Sequence, residues 1–391
     1  MLQFFTKTEL QKEWLQKLYE LETMITSTAA SNDELSQFPM ENIQKLVDIG
    51  YTSLTVPKAY GGGGISIYDL VLFQETLARF DGATALSIGW HMSVIGHLYD
   101  KSLWHENQLD SLSTEITNGA LINHAISEKL TGSPTRGGRP GTNAVKEGDT
   151  WVINGRKGYT SMSPALTHFI VTAWIEEKQA VGNFLLTRDL PGLSIDETWN
   201  VIAMRGTSSH DLVLDQVKVD DSKLVELIQP GKIPPPNGWM LHIPAVYLGI
   251  AQAARDYALR FANSHSPNSI KGSISTLPNV QQLIGEIDLK LLKARHFIYS
   301  IAEAYSDESR RHLVNIEIGA AKHIVTNTAI TVVDKAMRIV GAQSLQLDNP
   351  LQRFYRDVRA GLHNPPMDDA TIQRLAQTAI EADKVNMIKN S

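Results

Sequence analysis

Apolar residues recur at helical spacing near the start of the chain. Leu10, Trp14, Leu18 and Leu21 lie three or four positions apart with Glu and Lys between them, and Thr8 stands where an N-cap belongs. The spacing predicts an amphipathic helix over 8–25. A second helical run over 39–49 stops at Gly50, TVPKAYGGGG (55–64) reads as a loop, and helical texture resumes over 68–80 and 83–98. From Ala120 the pattern changes to short segments rich in Val, Ile, Thr and aromatics (LINHAIS, THFIVTAWIE, GNFLLT, DLVLDQVKV), punctuated by Asn-Gly, Glu-Gly-Asp and Pro-Gly. These predict an antiparallel sheet. Pro230 and IPPPNG (233–238) predict a stiff linker, because consecutive prolines lock φ and continue neither strand nor helix. Beyond it, 239–262 carries small residues at Ala245, Gly249, Ala253 and Ala254, where a second helix can approach closely. With the helical runs at 276–308, 314–340 and 366–388, this predicts an antiparallel four-helix bundle. The expected fold is mainly α with a central β domain: an N-terminal helical domain over 1–119, an antiparallel β-sheet domain over 120–229, and a C-terminal four-helix bundle over 230–391.

Length and composition narrow the class. A chain of 391 residues exceeds what one core holds, roughly 250–300 residues, so two or three packed units are expected. Hydrophobic residues at 42% and charged residues at 20% exclude disordered, collagen-like and low-complexity chains. A net charge of −6 without a basic run argues against a nucleic-acid partner. The absence of cysteine removes disulfide scaffolds, thiolate catalysis and iron–sulfur ligation, and fits a reducing cytoplasm. The first 30 residues mix charges among apolar positions and no stretch of ~18 apolar residues follows, so neither a signal peptide nor a membrane partner is expected. The twelve His are scattered, and no metal site is expected. No internal repeat of fixed period is present.

Six segments, in order, carry a resemblance. VPKAYGGGGIS (56–66), AISEKLTGS (125–133), WVINGRKGYTS (151–161), MRGTSSHDLVLDQVKV (204–219), the small-residue helix 249–262, and AMRIVGAQSLQLDNPLQRFYRDVRA (336–360) together resemble the acyl-CoA dehydrogenase superfamily of flavoproteins. The resemblance implies FAD as cofactor. Ser127, Glu128, Gly132 and Ser133 match a family segment that lies against the flavin, with Lys129 and Pro134 departing from the pattern. Tyr159 and Ser161 match the aromatic and the hydroxyl that flank the ring. Val340-Gly341-Ala342-Gln343 matches a turn that approaches the adenine half of FAD across a subunit boundary, with Arg338 as a candidate pyrophosphate donor. The family's Arg-x-x-Phe-Gly is missing from 260–282, which leaves Lys271 or His265 as replacements and implies weak or exchangeable flavin binding. MRGTSSHDL is expected to shape the sheet domain. The resemblance also implies a homotetramer.

The same resemblance exposes a gap in the chemistry. Dehydrogenating an acyl thioester requires a base for the α-proton while hydride goes to flavin N5. Of the family's two Glu positions, one holds Met367 here, and the other falls on Trp239 or Met240. Asp368 and Asp369 stand one and two residues beyond Met367 as replacement bases, or as an N-cap of the following helix. His363, followed by Asn-Pro, is similar to a motif of the flavin-dependent monooxygenase branch, where a second His corresponds to His91 and Ser163 completes a polar pocket; a satisfied core histidine is the alternative for each. Three functions follow. One is an FAD-dependent acyl-CoA dehydrogenase with an unusual base, acting on an acyl-CoA and served by an electron-transfer flavoprotein. The second is a monooxygenase of a small organic compound, acting through a C4a-peroxyflavin, with FAD or FMN supplied reduced by a flavin reductase. The third is a non-catalytic flavin or CoA binder.

Overall fold

The computed structural model describes residues 2–131, 138–228 and 237–390, with the side chains of 388–390 excepted. Gly132, Ser133, Pro134 and most of the proline-rich linker lie outside the described residues. Among the described residues six helices come first: α1 (Glu9–Glu20), α2 (Glu22–Glu34), α3 (Met40–Asp48), α4 (Ile67–Phe80), α5 (Gly82–Asp100) and α6 (Glu106–Thr117). Eight strands follow: β1 (Ile122–Ala125), β2 (Asn143–Glu147), β3 (Thr150–Thr160), β4 (His168–Ile175), β5 (Ala180–Thr187), β6 (Leu193–Asp196), β7 (His210–Asp220) and β8 (Leu224–Ile228). Five helices close the chain: α7 (His242–Ser264), α8 (Pro278–Ser306), α9 (Glu317–Val340), α10 (Pro350–Ala360) and α11 (Asp368–Asn390). No described helix is long and apolar enough to cross a membrane.

The helix expected over 8–25 is broken at Leu21, and its second half continues to Glu34. That extension escaped the apolar pattern because the stripe α2 buries is Ile25, Ala29 and Asp33, only one of them large and apolar. The elements expected from periodicity also do not include α10. Its signal is Asn349 followed by Pro350, with the Asn349 side chain accepting from Leu351 N at 3.0 Å and proline at the first helical position.

Contacts divide the chain into two compact units, neither of them contiguous. The first comprises residues 1–18, 67–82 and 240–391. In it α7, α8 and α9 pack side by side, α4 lies against α7 and α8, and α11 runs along α9. Gly249 permits the α4–α7 approach, since a Cβ there would sit 2.3 Å from Glu75 O. Below that crossing Arg295 donates to Glu75 Oε1 at 2.7 and 2.9 Å and to Gln252 at 2.9 Å, while Tyr299 donates to Glu75 Oε2 at 2.8 Å. Arg295 and Glu75 are both fully buried and pair with each other, with Gln252 accepting from the guanidinium and Tyr299 donating to the carboxylate.

The second unit comprises residues 19–66 and 83–239 and holds one sheet in the order β6-β7-β3-β2-β4-β5-β8. Its pairings are antiparallel as expected, except that β1 runs parallel to β4 and β2 meets β4 in one parallel pair. A parallel neighbour requires a long connection, and β2 and β3 lie between β1 and β4 in the chain. Every residue of β4 is buried, which is why HFIVTAWI reads as a continuous apolar run rather than an alternation. Ile95, Leu98, Trp104, Leu109, Ile122 and Ile170 form the core between α5, α6 and the sheet.

Candidate functional site: a strained hydroxyl-lined turn at the end of β3

The end of β3 departs from regular strand. The pairing with β7 slips between Lys157 and Thr160, and Tyr159 takes a φ of +59°. A bulky residue in the left-handed region is an outlier that costs on the order of 1–3 kcal/mol. The slip leaves the Tyr159 ring 57% exposed, with Trp199 edge-on to it at 6.2 Å. Three more left-handed residues join the same turn: Met162 at +65°, Met204 at +53° and Ser208 at +40°. Among the described residues eight non-glycines have positive φ, so half of them gather here. Strain concentrated this way marks a site whose geometry the surrounding fold enforces.

Hydroxyls line the turn. Thr207 Oγ1 donates to Met204 O at 2.9 Å, Thr207 Oγ1 and Ser209 Oγ are 2.9 Å apart, and Ser209 Oγ and Ser161 Oγ are 2.8 Å apart. Met162 N donates to Thr207 O, and Asn123 Nδ2 donates to Ser161 O, which stitches the two strand ends together. Thr160 Oγ1, buried next in sequence to Ser161, has no partner among the described residues. Thr207 and Ser209 were not foreseen as site residues. The available signal was the second run of hydroxyl residues, TSS (207–209), immediately before β7.

The segment 126–129 lies beside this turn and is held by charge. Glu128 Oε1 accepts from Lys157 Nζ at 2.7 Å and Thr142 N at 3.1 Å, and Oε2 accepts from Gly141 N at 2.7 Å. Burial pushes the Glu128 carboxyl up, but Lys157 and Thr142 outweigh it and hold the group below its ordinary value. Lys157 is itself fully buried and also donates to Thr172 Oγ1 at 3.0 Å. Glu128 is therefore an anchor for the loop rather than a free acid. Ser127 O receives Gly158 N at 2.8 Å. Lys129 runs past Gly158 to Asp211 Oδ2 at 2.9 Å, where Arg156 Nε also donates at 2.8 Å.

His91 turns out differently from the polar-pocket reading. It is fully buried; Nδ1 accepts from Ile122 N at 3.0 Å, and Nε2 lies 3.0 Å from the Thr52 carbonyl. A carbonyl only accepts, so Nε2 carries the proton and both ring nitrogens are used by backbone. Burial pushes its pKa down to about 4. This geometry is that of a core histidine tying α5 to β1 and the 51–53 turn. Ser163 likewise donates its hydroxyl proton to Ser208 O at 2.8 Å.

The remaining sequence candidates lie in the first unit. His363 is exposed in the turn after α10, and its neighbour Asn364 accepts from Tyr247 Oη at 2.5 Å. Asp368 opens α11 and accepts from Asn327 Nδ2 at 2.8 Å and Lys322 Nζ at 3.2 Å, with His323 Nδ1 at 3.2 Å. Burial raises the Asp368 pKa, but these donors outweigh it and hold the carboxyl below its ordinary value. Asp369 is exposed beside it. Gly341 takes a φ of +71° at the end of α9 with open space at its Cβ position, and Arg338 is exposed and donates to Asp334 at 2.9 Å. His265 stacks on Phe261 at 4.8 Å. Arg205 donates to the carbonyls of Asp33, Glu34 and Val201, closing the end of α2 onto the 204–209 turn.

Comparison with known proteins decides the family. Three family models match in chain order: the acyl-CoA dehydrogenase N-terminal domain over residues 8–102, its middle domain over 123–217 and its C-terminal domain over 241–364. A protein of Bacillus subtilis (strain 168) named "Putative acyl-CoA dehydrogenase YdbM" is 58% identical over 97% of this chain and 100% of its own length. The chain belongs to the acyl-CoA dehydrogenase family. Members of this family are flavin-dependent oxidoreductases, and monooxygenases are among its relatives. L-evernosamine nitrososynthase of a Micromonospora species is 28% identical over 86% of this chain and 82% of its own length. Among solved structures, a nitrososynthase of Micromonospora carbonacea var. africana has a TM-score of 0.83 at 25% identity, covering 95% of this chain and 97% of that one. Butyryl-CoA dehydrogenase of Megasphaera elsdenii shares the fold, with a TM-score of 0.85 at 20% identity over 96% and 99% of the two chains. The strained turn suits this family's cofactor, because an exposed aromatic offers a planar ring a face and the hydroxyls offer its polar edge partners.

Proposed function

We propose that this protein is a reduced-flavin-dependent monooxygenase of the acyl-CoA dehydrogenase family. Bound flavin supplies the redox chemistry, FAD or FMN reduced by a separate flavin reductase, and the substrate is a small organic compound. One observation carries the reading: neither position at which the family places its base offers a free acid. Met367 occupies one and Trp239 or Met240 the other, and neighbouring Asp368 is committed to Asn327, Lys322 and His323 with its pKa held low. A carboxylate stabilised as an anion by three donors is a poor acceptor of an unactivated α-proton. The nitrososynthase relatives, whose name denotes the making of a nitroso group, support oxygenation as a chemistry this scaffold hosts.

In this reading Tyr159 and Trp199 cover the ring, Ser161 meets its polar edge, and Ser127 borders it. Glu128 and Lys157 keep Ser127 in place, and Gly341 and Arg338, offered by another copy of the chain, receive the distal part of the cofactor. His91 is excluded from proton transfer by its two backbone bonds. Four copies associate as a homotetramer.

The second reading is an acyl-CoA dehydrogenase with Asp369 as base, favoured by that residue's exposure and by the name of the relative from Bacillus subtilis. Anaerobic titration of the FAD-loaded protein with butyryl-, octanoyl- and palmitoyl-CoA separates the two. The oxidised flavin spectrum is expected to persist; bleaching overturns the monooxygenase reading, and loss of that bleaching in Asp369→Asn would identify the base.

A further inference from the structure

The hydroxyl chain of the strained turn has a direction that its far end fixes. Met204 O is a carbonyl and only accepts, so at 2.9 Å the Thr207 hydroxyl proton lies on that bond. A hydroxyl has one proton, so Thr207 Oγ1 can only accept from Ser209 at 2.9 Å. Ser209 has then used its own proton, and it can only accept from Ser161 at 2.8 Å. Ser161 is left with lone pairs and no proton for anything in front of it. Met204 is held in place by its left-handed backbone and by two further donors on the same carbonyl, Thr207 N at 3.1 Å and Trp199 Nε1 at 3.2 Å.

We infer that the Met204–Thr207–Ser209 chain makes Ser161 an obligate hydrogen-bond acceptor, and that the site thereby prefers dihydroflavin to oxidised flavin. This rests on the flavin reading of the turn given above. The chemistry of the preference is that of the ring: in the oxidised isoalloxazine N5 carries a lone pair, and two-electron reduction turns N5 into an N–H donor. An acceptor fixed against that edge gains a bond with the reduced ring and faces a lone pair in the oxidised one. An unmet buried polar group shifts affinity on the order of tenfold or more. A tenfold preference corresponds to a rise of about 30 mV in the two-electron potential of the bound flavin. Thr207 and Ser209 are positioning residues that act through Ser161. The redox state they select is the one a monooxygenase receives from its reductase.

The test measures affinities rather than turnover. Oxidised and dithionite-reduced FMN and FAD are titrated anaerobically into the full-length flavin-free protein, and the potential of the bound flavin is compared with that of free flavin. The wild type is expected to bind the reduced form about tenfold more tightly. Ser209→Ala removes the acceptor in front of Ser161, so Ser161 can turn its proton outward; binding of oxidised flavin is expected to tighten and the preference to collapse, whereas Ser209→Thr preserves it. Thr207→Val releases the anchor and moves the preference in the same direction without touching Ser161 or Ser209. Parallel weakening of both redox forms in Ser209→Ala and Thr207→Val, or equal wild-type affinities, overturns this inference and leaves the flavin reading intact. Failure of either flavin to bind the wild type overturns both.

Discussion

At the scale of single residues, burial decides roles that identity leaves open. His91, His124 and His242 are held neutral: burial pushes the first two down to about 4 and the third down to about 3. In the unfolded chain each titrates near 6.5. Below that pH the unfolded state binds protons that the folded state refuses, so the stability these residues contribute is complete above about 6.5 and is lost as pH falls toward 4. For His91 the full loss is about 3 kcal/mol. Urea midpoints measured between pH 7.5 and 4.5 (about the span of that titration) are expected to fall steadily, and His91→Gln to flatten the slope by about one proton. An unchanged slope in His91→Gln would show that this ring is not buried neutral. At pH 7 His91→Ala is expected to cost about 2–4 kcal/mol, because the Thr52 carbonyl and Ile122 N–H lose their partner beside a new cavity. The sequence held both readings of His91, catalytic and core. Only its two backbone partners, from residues 39 and 31 positions away, choose between them.

At the scale of elements, two helix crossings set the tolerance of the fold. A Cβ at Gly249 would meet Glu75 O at 2.3 Å and Ala78 Cβ at 2.7 Å, and a backbone atom of α4 cannot swing aside. Gly249→Ala is therefore expected to destabilise by about 2–3 kcal/mol, read as a drop in the urea midpoint. Glu75→Ala should cost more, about 3–5 kcal/mol, by leaving the Arg295 cation buried without its counter-ion. Removing both charges as Glu75→Met/Arg295→Met should recover much of the loss; failure to recover would mean that Gln252 and Tyr299 depend on the pair for their own placement. The small-residue stripe of α7 was legible from spacing alone, and so was the sheet's location from its apolar, β-branched texture. The partner of Gly249 was not legible, since Glu75 and Ala78 come from a segment some 170 positions earlier with no local signal of the crossing.

At the scale of the whole molecule, flavin acts as a ligand of the folded state only. Bound at 100 times its dissociation constant, it adds about 2.7 kcal/mol to stability. The anaerobic thermal midpoint is accordingly expected to rise further with dihydroflavin than with the same concentration of oxidised flavin; equal shifts would contradict the preference assigned to Ser161. Sedimentation of the wild type is expected to report four chains.

What the sequence by itself determined is the sequence of textures and the family: helical, then β, then helical again, with six motifs in order. Those follow from local periodicity, turn residues and matched strings, all properties of contiguous stretches. Tertiary structure alone decided that Glu128 anchors a loop, that Asp368 is committed to three donors, and that His91 has no nitrogen to offer. It also decided that four hydroxyl and carbonyl groups, from the end of β3 and the turn before β7, align with one polarity. Each of these depends on which distant donor reaches a given atom, and a hydrogen bond's direction is set by the last group in the chain, here a carbonyl 43 residues away from the serine it governs.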